Sequence, residues 1–514
     1  MKFLINKAAP ESFKSDIVAI GLFERSDEES EGERRHALIK HVDGGIALDR
    51  ALKGELSRQI ATEKFTGERG NSRVLFTAGR IPARFVLLIG MGKRSECSLE
   101  VLRESGVTIA RAAADVGAES AALVLERGSV DEMPASARAR AITEGLVLGA
   151  YRFDCYKTGN EKKPSLGVAH FLYQGDSGPV KFAIEVGRIM ASAQNAARDL
   201  VNTPGLDATP RIISARAKQI AAECGLRCTV LKPDAIRRER MAGLLAVSRG
   251  SAEPPAFISL VYKPKGKPHG HVAIVGKGIT FDAGGISLKP PRGMELMKGD
   301  MAGAASVLYA MQAIAALKPR AQVSAYIPAA ENLPDGKAIK PGDVIKMRNG
   351  KTVEIVNTDG EGRLIIADAL SYAADRNPDA IIDVATLTGG AAYCCGELYT
   401  LVLGSEQKLV DKLCRAAEAE GEPMWQLPIV EQYKKGYTSG IADLNNSGKS
   451  KAQTIMGAIF LREFVGKTPW AHLDIAASSW ADDELPIGPK GATGIMVRTL
   501  VEFVNGFKGK MPED

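Results

Sequence analysis

Short β-branched and aliphatic runs alternate along this chain with longer stretches whose apolar residues recur at helical spacing. Asp16–Glu24, Ser72–Ala78, Phe85–Ile89 and Ala121–Leu125 carry the first pattern and predict strands. Ala51–Lys64, Ser98–Val116 and Ala135–Tyr151 carry the second and predict helices. Alternation of this kind predicts an N-terminal α/β domain with a largely buried sheet over residues 1–175. A polar, basic loop at Lys157–Pro164 and one more strand, Leu166–Tyr173, lead to the alanine-rich run Pro179–Leu200, which Pro204 and Gly205 stop. That run predicts a linking helix within 176–205. From Arg211 the alternation resumes, so 206–514 predicts a second α/β domain, a mixed sheet flanked by helices. Within it His271–Val275 and Val353–Val356 read as buried strands, Gly276–Gly285 as a loop, and Ala302–Leu317 and Leu364–Ala374 as helices.

The candidate chemistry sits between these elements. Asp359 and Glu361 crowd the turn between Val356 and Leu364, and two carboxylates in a tight turn repel unless a cation neutralises them. A solvated polar turn is an equal reading of that stretch alone. Upstream stand Asp282 and Asp300. Singly, Asp300 reads as a helix cap, and Lys277 and Lys289 as surface lysines. Together Asp282, Asp300, Asp359 and Glu361 fall at or just past strand ends of one α/β unit, where open sheets gather ligands. Two divalent ions sharing a water would satisfy four such groups. The six histidines show no paired metal spacing, and His269 and His271 read as an exposed pair. Oxygen ligands therefore favour Mn²⁺ or Mg²⁺, with Zn²⁺ held through carboxylates. Gly276-Lys277 fails as a phosphate loop, because Gly278 stands where Ser or Thr is required.

Composition narrows the class. A chain of 514 residues exceeds what one core can hold. A net charge of +6, spread over 67 basic and 61 acidic residues, is too weak to argue for nucleic acid. Seven cysteines without a CxxC pair suit free thiols. The opening Met1–Lys7 breaks off short of a signal peptide, and no apolar run reads as long enough to span a bilayer, so the expected location is cytoplasmic, with no membrane partner. The acidic and basic patches Asp27–Glu29 and Glu33–His36 read as solvated loops.

The chain resembles the leucyl aminopeptidases of the cytosol aminopeptidase family. Their signature Asn-Thr-Asp-Ala-Glu-Gly-Arg-Leu stands here as Asn357–Leu364, with Gly360 for alanine. Gly276–Gly285, with Ala283 for serine, then Lys289-Pro290 and Met297–Asp300-Met301, follow the upstream family pattern in order. Ala385–Gly389, Ala442–Asn445, Trp470–Ala476 and Gly491–Gly494 continue it. The resemblance implies a metallo-exopeptidase, a protease that hydrolyses the N-terminal residue of peptides, preferably Leu or another apolar residue. It implies two divalent metal ions per subunit, manganese or zinc. Asp282, Asp359 and Glu361 would hold one; Lys277, Asp282, Asp300 and Glu361 the other. Lys277 would have to bind as the neutral amine. Lys289 and Arg363 would be catalytic, the first stabilising an oxyanion, the second holding a bicarbonate. Met297, Thr386 and Gly389 would line the pocket for the N-terminal side chain, and the assembly would be a homohexamer.

Gly360 is the departure with the sharpest expectation: a residue without a β-carbon frees backbone space and could loosen the metal turn or enlarge the pocket. Two rival functions stand beside the first. A catalytically weak relative with a regulatory or DNA-binding role is motivated by Arg237–Arg240 and Lys263–Lys267, which lack interleaved aromatics. A two-metal phosphohydrolase would also cluster carboxylates.

Overall fold

The computed structural model describes residues 1–24, 44–62, 65–125, 133–159, 164–448 and 451–509. The patches at Asp27–Glu29 and Glu33–His36, and part of the Lys157–Pro164 loop, lie outside them. Two compact units divide the chain: Met1–Ser192 with Glu484–Pro489, and Ala193–Asp483 with Lys490–Asp514. The division falls inside a single helix, Ser177–Asn202. That the segment 484–489 belongs to the first unit was not foreseeable from local pattern.

The first unit is built on β1 (Lys2–Asn6), β2 (Ile17–Leu22), β3 (Ser72–Phe76), β4 (Phe85–Gly90), β5 (Ser120–Val124) and β6 (Val168–Leu172). Among the described residues they form one six-stranded sheet in the order β1-β6-β5-β2-β4-β3. Only β3 runs antiparallel to its neighbour. The period of two is visible in the packing. Ile17 and Ala19 of β2 join the core beneath the helices Leu99–Asp115 and Ala135–Gly149, while Val18, Ile20 and Leu22 join a second core with Leu48, Leu56 and Ile60. Two details depart from expectation. Met1–Lys7 is largely the edge strand β1, paired with β6. The stretch Ala51–Lys64 is not one helix, because Lys53 (φ 59°) and Gly54 (φ 79°) turn left-handed between Gly45–Ala51 and Glu55–Thr62. Arg111 binds the late segment: it pairs with Glu484 at 2.8 Å and donates to the carbonyl of Leu485 at 3.2 Å.

The second unit contains β7 (Arg227–Leu231), β8 (Ala256–Tyr262), β9 (His271–Gly276), β10 (Gly278–Asp282), β11 (Gln322–Asn332), β12 (Val344–Lys346), β13 (Thr352–Glu354), β14 (Ala380–Ala385), β15 (Thr400–Gly404), β16 (Met424–Gln426), β17 (Leu444–Asn445) and β18 (Trp470–Asp474). Its main sheet, nine strands among the described residues, runs β16-β15-β18-β14-β9-β11-β8-β7, with β10 on the far half of β11. The middle four, β18, β14, β9 and β11, are mutually parallel, so their carboxyl ends lie side by side. Lys277, Thr386 and the Asp474 carboxylate stand at those ends.

Three expectations are corrected here. Gly276–Gly285 is not all loop: Gly278–Asp282 is strand β10, which resumes against β11 in the register that β9 leaves (Val275 opposite Tyr326, Gly278 opposite Ala329). That register sets Pro328, which has no N–H to give a ladder, opposite Lys277, where the strand is interrupted. The run Val353–Val356 forms only the short β13, in a separate sheet β12-β13-β17, and Val356 is 42% exposed. Finally, Met294–Leu317 does have the length and hydropathy of a membrane span. It belongs to the core of the unit instead, with 83% of an apolar 18-residue stretch of it buried, opening as a 3₁₀ turn (Met294–Gly299) and continuing as the helix Ala302–Leu317.

That helix is drawn unusually close to the sheet. The amide of Lys277 donates to Val384 at 3.0 Å, and its carbonyl accepts from Ala304 at 2.8 Å. A β-carbon on Gly303 would lie 2.1 Å from the Val384 carbonyl oxygen, and one on Gly276 would lie 2.7 Å from that of Gly303. Two side-chain-free positions thus allow the start of the helix, with Asp300 just before it, to reach Lys277. Gly303→Ala must push the helix off the sheet and is expected to lower unfolding free energy by about 1–3 kcal/mol. Urea denaturation checks this, and a wild-type midpoint would contradict the close-packing account.

Candidate active site

A cavity of about 800 Å³ opens at the carboxyl ends of the parallel strands of the second unit. Lys277, Asp282, Lys289, Asp300, Asp359, Glu361 and Arg363 all line it. Each arrives on a different device. Asp282 ends β10, and its Oδ1 accepts from the amide of Gly284 and from Asn332 Nδ2, both at 2.9 Å. Gly284 (φ 87°) and Gly285 (φ 68°) then turn the chain back, in a conformation that suits glycine. The amide of Lys289 donates to Ala283 at 2.9 Å, which returns Lys289 beside Asp282. Asp300 does not follow a strand, as the sequence suggested; it closes the 3₁₀ turn and precedes the helix Ala302–Leu317.

The turn bearing Asp359 and Glu361 is held from both sides. Thr358 donates its hydroxyl to Gly284 at 2.6 Å and accepts from the amide of Ser287 at 2.7 Å. Asn357 Oδ1 accepts from the amide of Asp359 at 2.9 Å, an Asx turn. Asn446 clasps the other side, its Oδ1 accepting from Val356 (2.9 Å) and its Nδ2 donating to the Asn357 carbonyl (2.6 Å). Sequence reasoning gave no role to Asn332, Thr358 or Asn446: Thr358 lies inside the Asn357–Leu364 signature but was not singled out, and Asn332 and Asn446 sit in ordinary polar stretches.

The Gly360 expectation needs correcting in its cause. Gly360 is not among the left-handed positions, so no special backbone freedom is used there. What its missing side chain provides is room, because a β-carbon would lie 2.9 Å from Asn446 Nδ2.

Charge dominates the centre. Lys277 Nζ stands 2.7 Å from Asp300 Oδ1, 3.0 Å from Glu361 Oε1 and 2.8 Å from the Thr386 carbonyl. Lys289 Nζ stands 2.9 Å from Asp282 Oδ2 and 2.5 Å from Asp359 Oδ1. Four carboxylates therefore face two ammonium groups. Burial alone would depress both lysines, but the surrounding carboxylates outweigh it and hold both well above the usual lysine range. Burial pushes Asp300, Asp359 and Glu361 up, and the Asp282 charge adds to it in each.

The donor set fits divalent cations. Asp282, Asp359 and Glu361 each offer an oxygen, and these atoms lie within 4.8 Å of one another. Asp300 Oδ2 and Glu361 Oε2 are buried without a hydrogen-bond partner among the described residues, a costly state that a cation would relieve. All the donors near them are oxygens or the Lys277 amine; His472 is buried elsewhere, bonded to Asp383 at 2.6 Å, and His271 is half-buried against Ser324 rather than exposed. Arg363 donates through one terminal nitrogen to Tyr437 Oη (3.1 Å) and the Asn446 carbonyl (2.9 Å). Met297, Thr386 and Gly389 share the cavity wall with Leu296, Ala392 and Ala477. Of the basic clusters, Arg237 lies in the last turn of the short helix Pro233–Arg238 and pairs with Asp234 at 2.8 Å, while Lys263, Lys265 and Lys267 are exposed beyond β8.

Comparison with known proteins agrees in both halves. Residues 195–501 match the cytosol aminopeptidase family, catalytic domain, and 20–160 its N-terminal domain. Similar proteins include a probable cytosol aminopeptidase of Geotalea uraniireducens (strain Rf4), 44% identical over 471 residues, covering 90% of this chain and 93% of that one. Another, from Alkaliphilus metalliredigens (strain QYMF), is 38% identical over 513 residues, covering 99% and 100%. Among solved structures, a mutant of tomato leucine aminopeptidase superposes with a TM-score of 0.88 at 33% identity, covering 98% of this chain and 96% of that one. The bottromycin maturation enzyme BotP in complex with Mn gives 0.82 at 34%, covering 96% and 99%.

One substitution tests whether the Lys277 amine belongs to the cation site. A β-carbon on Gly362 would lie 2.4 Å from Lys277 Cε and 2.7 Å from Nζ. Gly362→Ala is expected to weaken Mn²⁺ binding roughly 10–100-fold in a calorimetric titration. Unchanged affinity would remove Lys277 from the set.

Proposed function

Because this chain belongs to the cytosol aminopeptidase family, a family of metal-dependent aminopeptidases, we propose that the acidic cavity is where it releases a leucine or other apolar residue from a peptide's N-terminus, using two divalent ions. The observation that carries this reading is the convergence of Asp282, Asp359 and Glu361 beside Asp300 and Lys277. One ion would be held by Asp282, Asp359 and Glu361, the other by Lys277, Asp282, Asp300 and Glu361. The BotP structure in complex with Mn supports manganese as one candidate, and zinc is the other. Bound there, such ions supply Lewis acidity toward the scissile carbonyl and lower the pKa of an attacking water.

The chain's own groups do the rest. An ammonium cannot donate a lone pair, so Lys277 must give up a proton to become a ligand. Lys289 stays charged beside Asp282 and Asp359 and lines the cavity, placed to meet the negative charge that builds on the carbonyl oxygen. The acidic surroundings favour a substrate's free α-amine. Arg363 spends one nitrogen on Tyr437 and Asn446, which fixes its plane; the rest of the fork suits a planar anion such as bicarbonate, a carrier for the proton. Met297, Leu296 and Ala477 give the side-chain pocket its apolar character. The phosphohydrolase alternative is set aside by the family assignment. A homohexamer, its contacts supported by exposed apolar side chains at Tyr393, Leu398 and Trp425, completes the proposal, and the cytosol aminopeptidase names of the relatives support a cytoplasmic location.

Metal-replete protein is expected to hydrolyse leucine p-nitroanilide, to lose that activity in EDTA, and to ignore both the N-acetylated substrate and p-nitrophenyl phosphate. Failure on every free-N-terminal substrate tried would end this reading. Lys289→Ala is expected to lower kcat about 100–1000-fold, the usual cost of losing an oxyanion donor. A kcat near wild type would give that role to another group. Light scattering should find six times the 54.7 kDa chain mass, and a monomer would refute the assembly.

A further inference from the structure

Two walls of the cavity come from the ends of neighbouring parallel strands. β14 delivers Thr386, Leu387, Thr388 and Gly389, and β18 delivers Ala476, Ala477, Ser479 and Trp480. Between them stands Asp474, the last residue of β18, paired in register with Ala385 and fully buried. Its Oδ1 accepts from the amide of Leu387 at 3.2 Å and from the amide of Ala476 at 3.1 Å. Its Oδ2 accepts from the Thr388 hydroxyl at 2.7 Å. A single carboxylate thus grips one wall at two successive residues and the other wall at one.

Donor counting fixes the direction of the next bond. Thr388 has one hydroxyl proton, and only an acceptor, the carboxylate, can take it. The Thr454 hydroxyl, 2.8 Å away, must therefore donate to Thr388. Thr454 lies in the first turn of the helix Gln453–Arg462, so that helix is tied to the same wall. On the opposite side, the Thr386 carbonyl accepts from Lys277, and the Thr386 hydroxyl donates to Asp300 Oδ1 at 2.7 Å. The loop 386–389 is held by the reacting groups at one end and by Asp474 at the other.

We propose that Asp474 is a positioning residue that fixes the separation of the two walls, and thereby the size of the N-terminal side chain the enzyme selects. The inference rests on the aminopeptidase reading of the cavity and deepens it. Asp474 touches no reacting group, so its effect acts through Leu387, Thr388 and Ala476. A buried carboxylate suits the task because it accepts on both oxygens, whereas an amide would turn an N–H toward Thr388 and reverse the Thr388–Thr454 bond.

The test compares kcat and KM for leucine and alanine p-nitroanilides in Asp474→Ala, Thr388→Val and Thr388→Ser, with bound metal measured in each. Expected are wild-type metal content and a leucine-to-alanine ratio of kcat/KM lowered about tenfold in D474A and T388V, mainly through KM for leucine. T388S, which keeps the hydroxyl, should keep the ratio. Should D474A fail to fold, the T388V and T388S pair decides. A ratio unchanged in metal-replete T388V, or a parallel loss on both substrates, overturns the proposal while leaving the aminopeptidase reading intact. A wild-type protein that cleaves neither substrate overturns both.

Discussion

The rest of the second unit depends on one electrostatic constraint: four carboxylates and two lysines share a small, mostly buried volume. Burying charge is expensive, and like charges at close range add to the cost. Lys277 and Lys289 offset part of it by standing within hydrogen-bond reach of two acids each. The remainder shows as buried oxygens of Asp300 and Glu361 that the protein leaves unpaired. An arrangement so unfavourable by itself persists only where the scaffold over-determines it. Asn332, Thr358 and Asn446, with their several bonds to the acidic turns, are that scaffold. The same repulsion that strains the site gives it appetite for cations.

Backbone proximity is the second requirement. Carboxyl ends of parallel strands supply the positions, but Lys277 meets Asp300 only because Gly276 and Gly303 let a helix lie against the sheet at contact distance. Gly276 and Lys277 are therefore neighbours for one reason: the first makes the space in which the second can be ionically paired.

Much of this was legible in the chain itself. The α/β alternation announced the fold class, and the spacing of Asp282, Asp300, Asp359 and Glu361 pointed to a shared locale that the structure brings together around one cavity. What escaped had physical causes. Strand β10 was hidden because the glycines at and around it read as a loop, and its strand character comes from pairing with Ala329–Asn332, fifty residues away. Asn332 and Asn446 carry no local pattern, and Asp474, though inside the Trp470–Ala476 stretch, shows its role only through Leu387, Thr388 and Ala476, since an anchor is defined by whom it meets in space. Met294–Leu317 was read too short: the 3₁₀ turn Met294–Gly299 ahead of Ala302–Leu317 brings the stretch to the length of a membrane span, and burial in the unit marks it as a core helix. Gly360 invited a backbone argument where the governing fact is a side-chain neighbour, Asn446.

The late segment 484–489 carries a consequence for how the polypeptide matures. Arg111 in the first unit finds Glu484 and the Leu485 carbonyl only after nearly the whole catalytic region has been synthesised. In a nascent chain the Arg111 guanidinium, on the helix Leu99–Asp115, therefore waits for both of these partners. Completion of the first unit thus waits until all but the last 25 residues have been synthesised, and a fragment ending at Ser192 would lack this clasp.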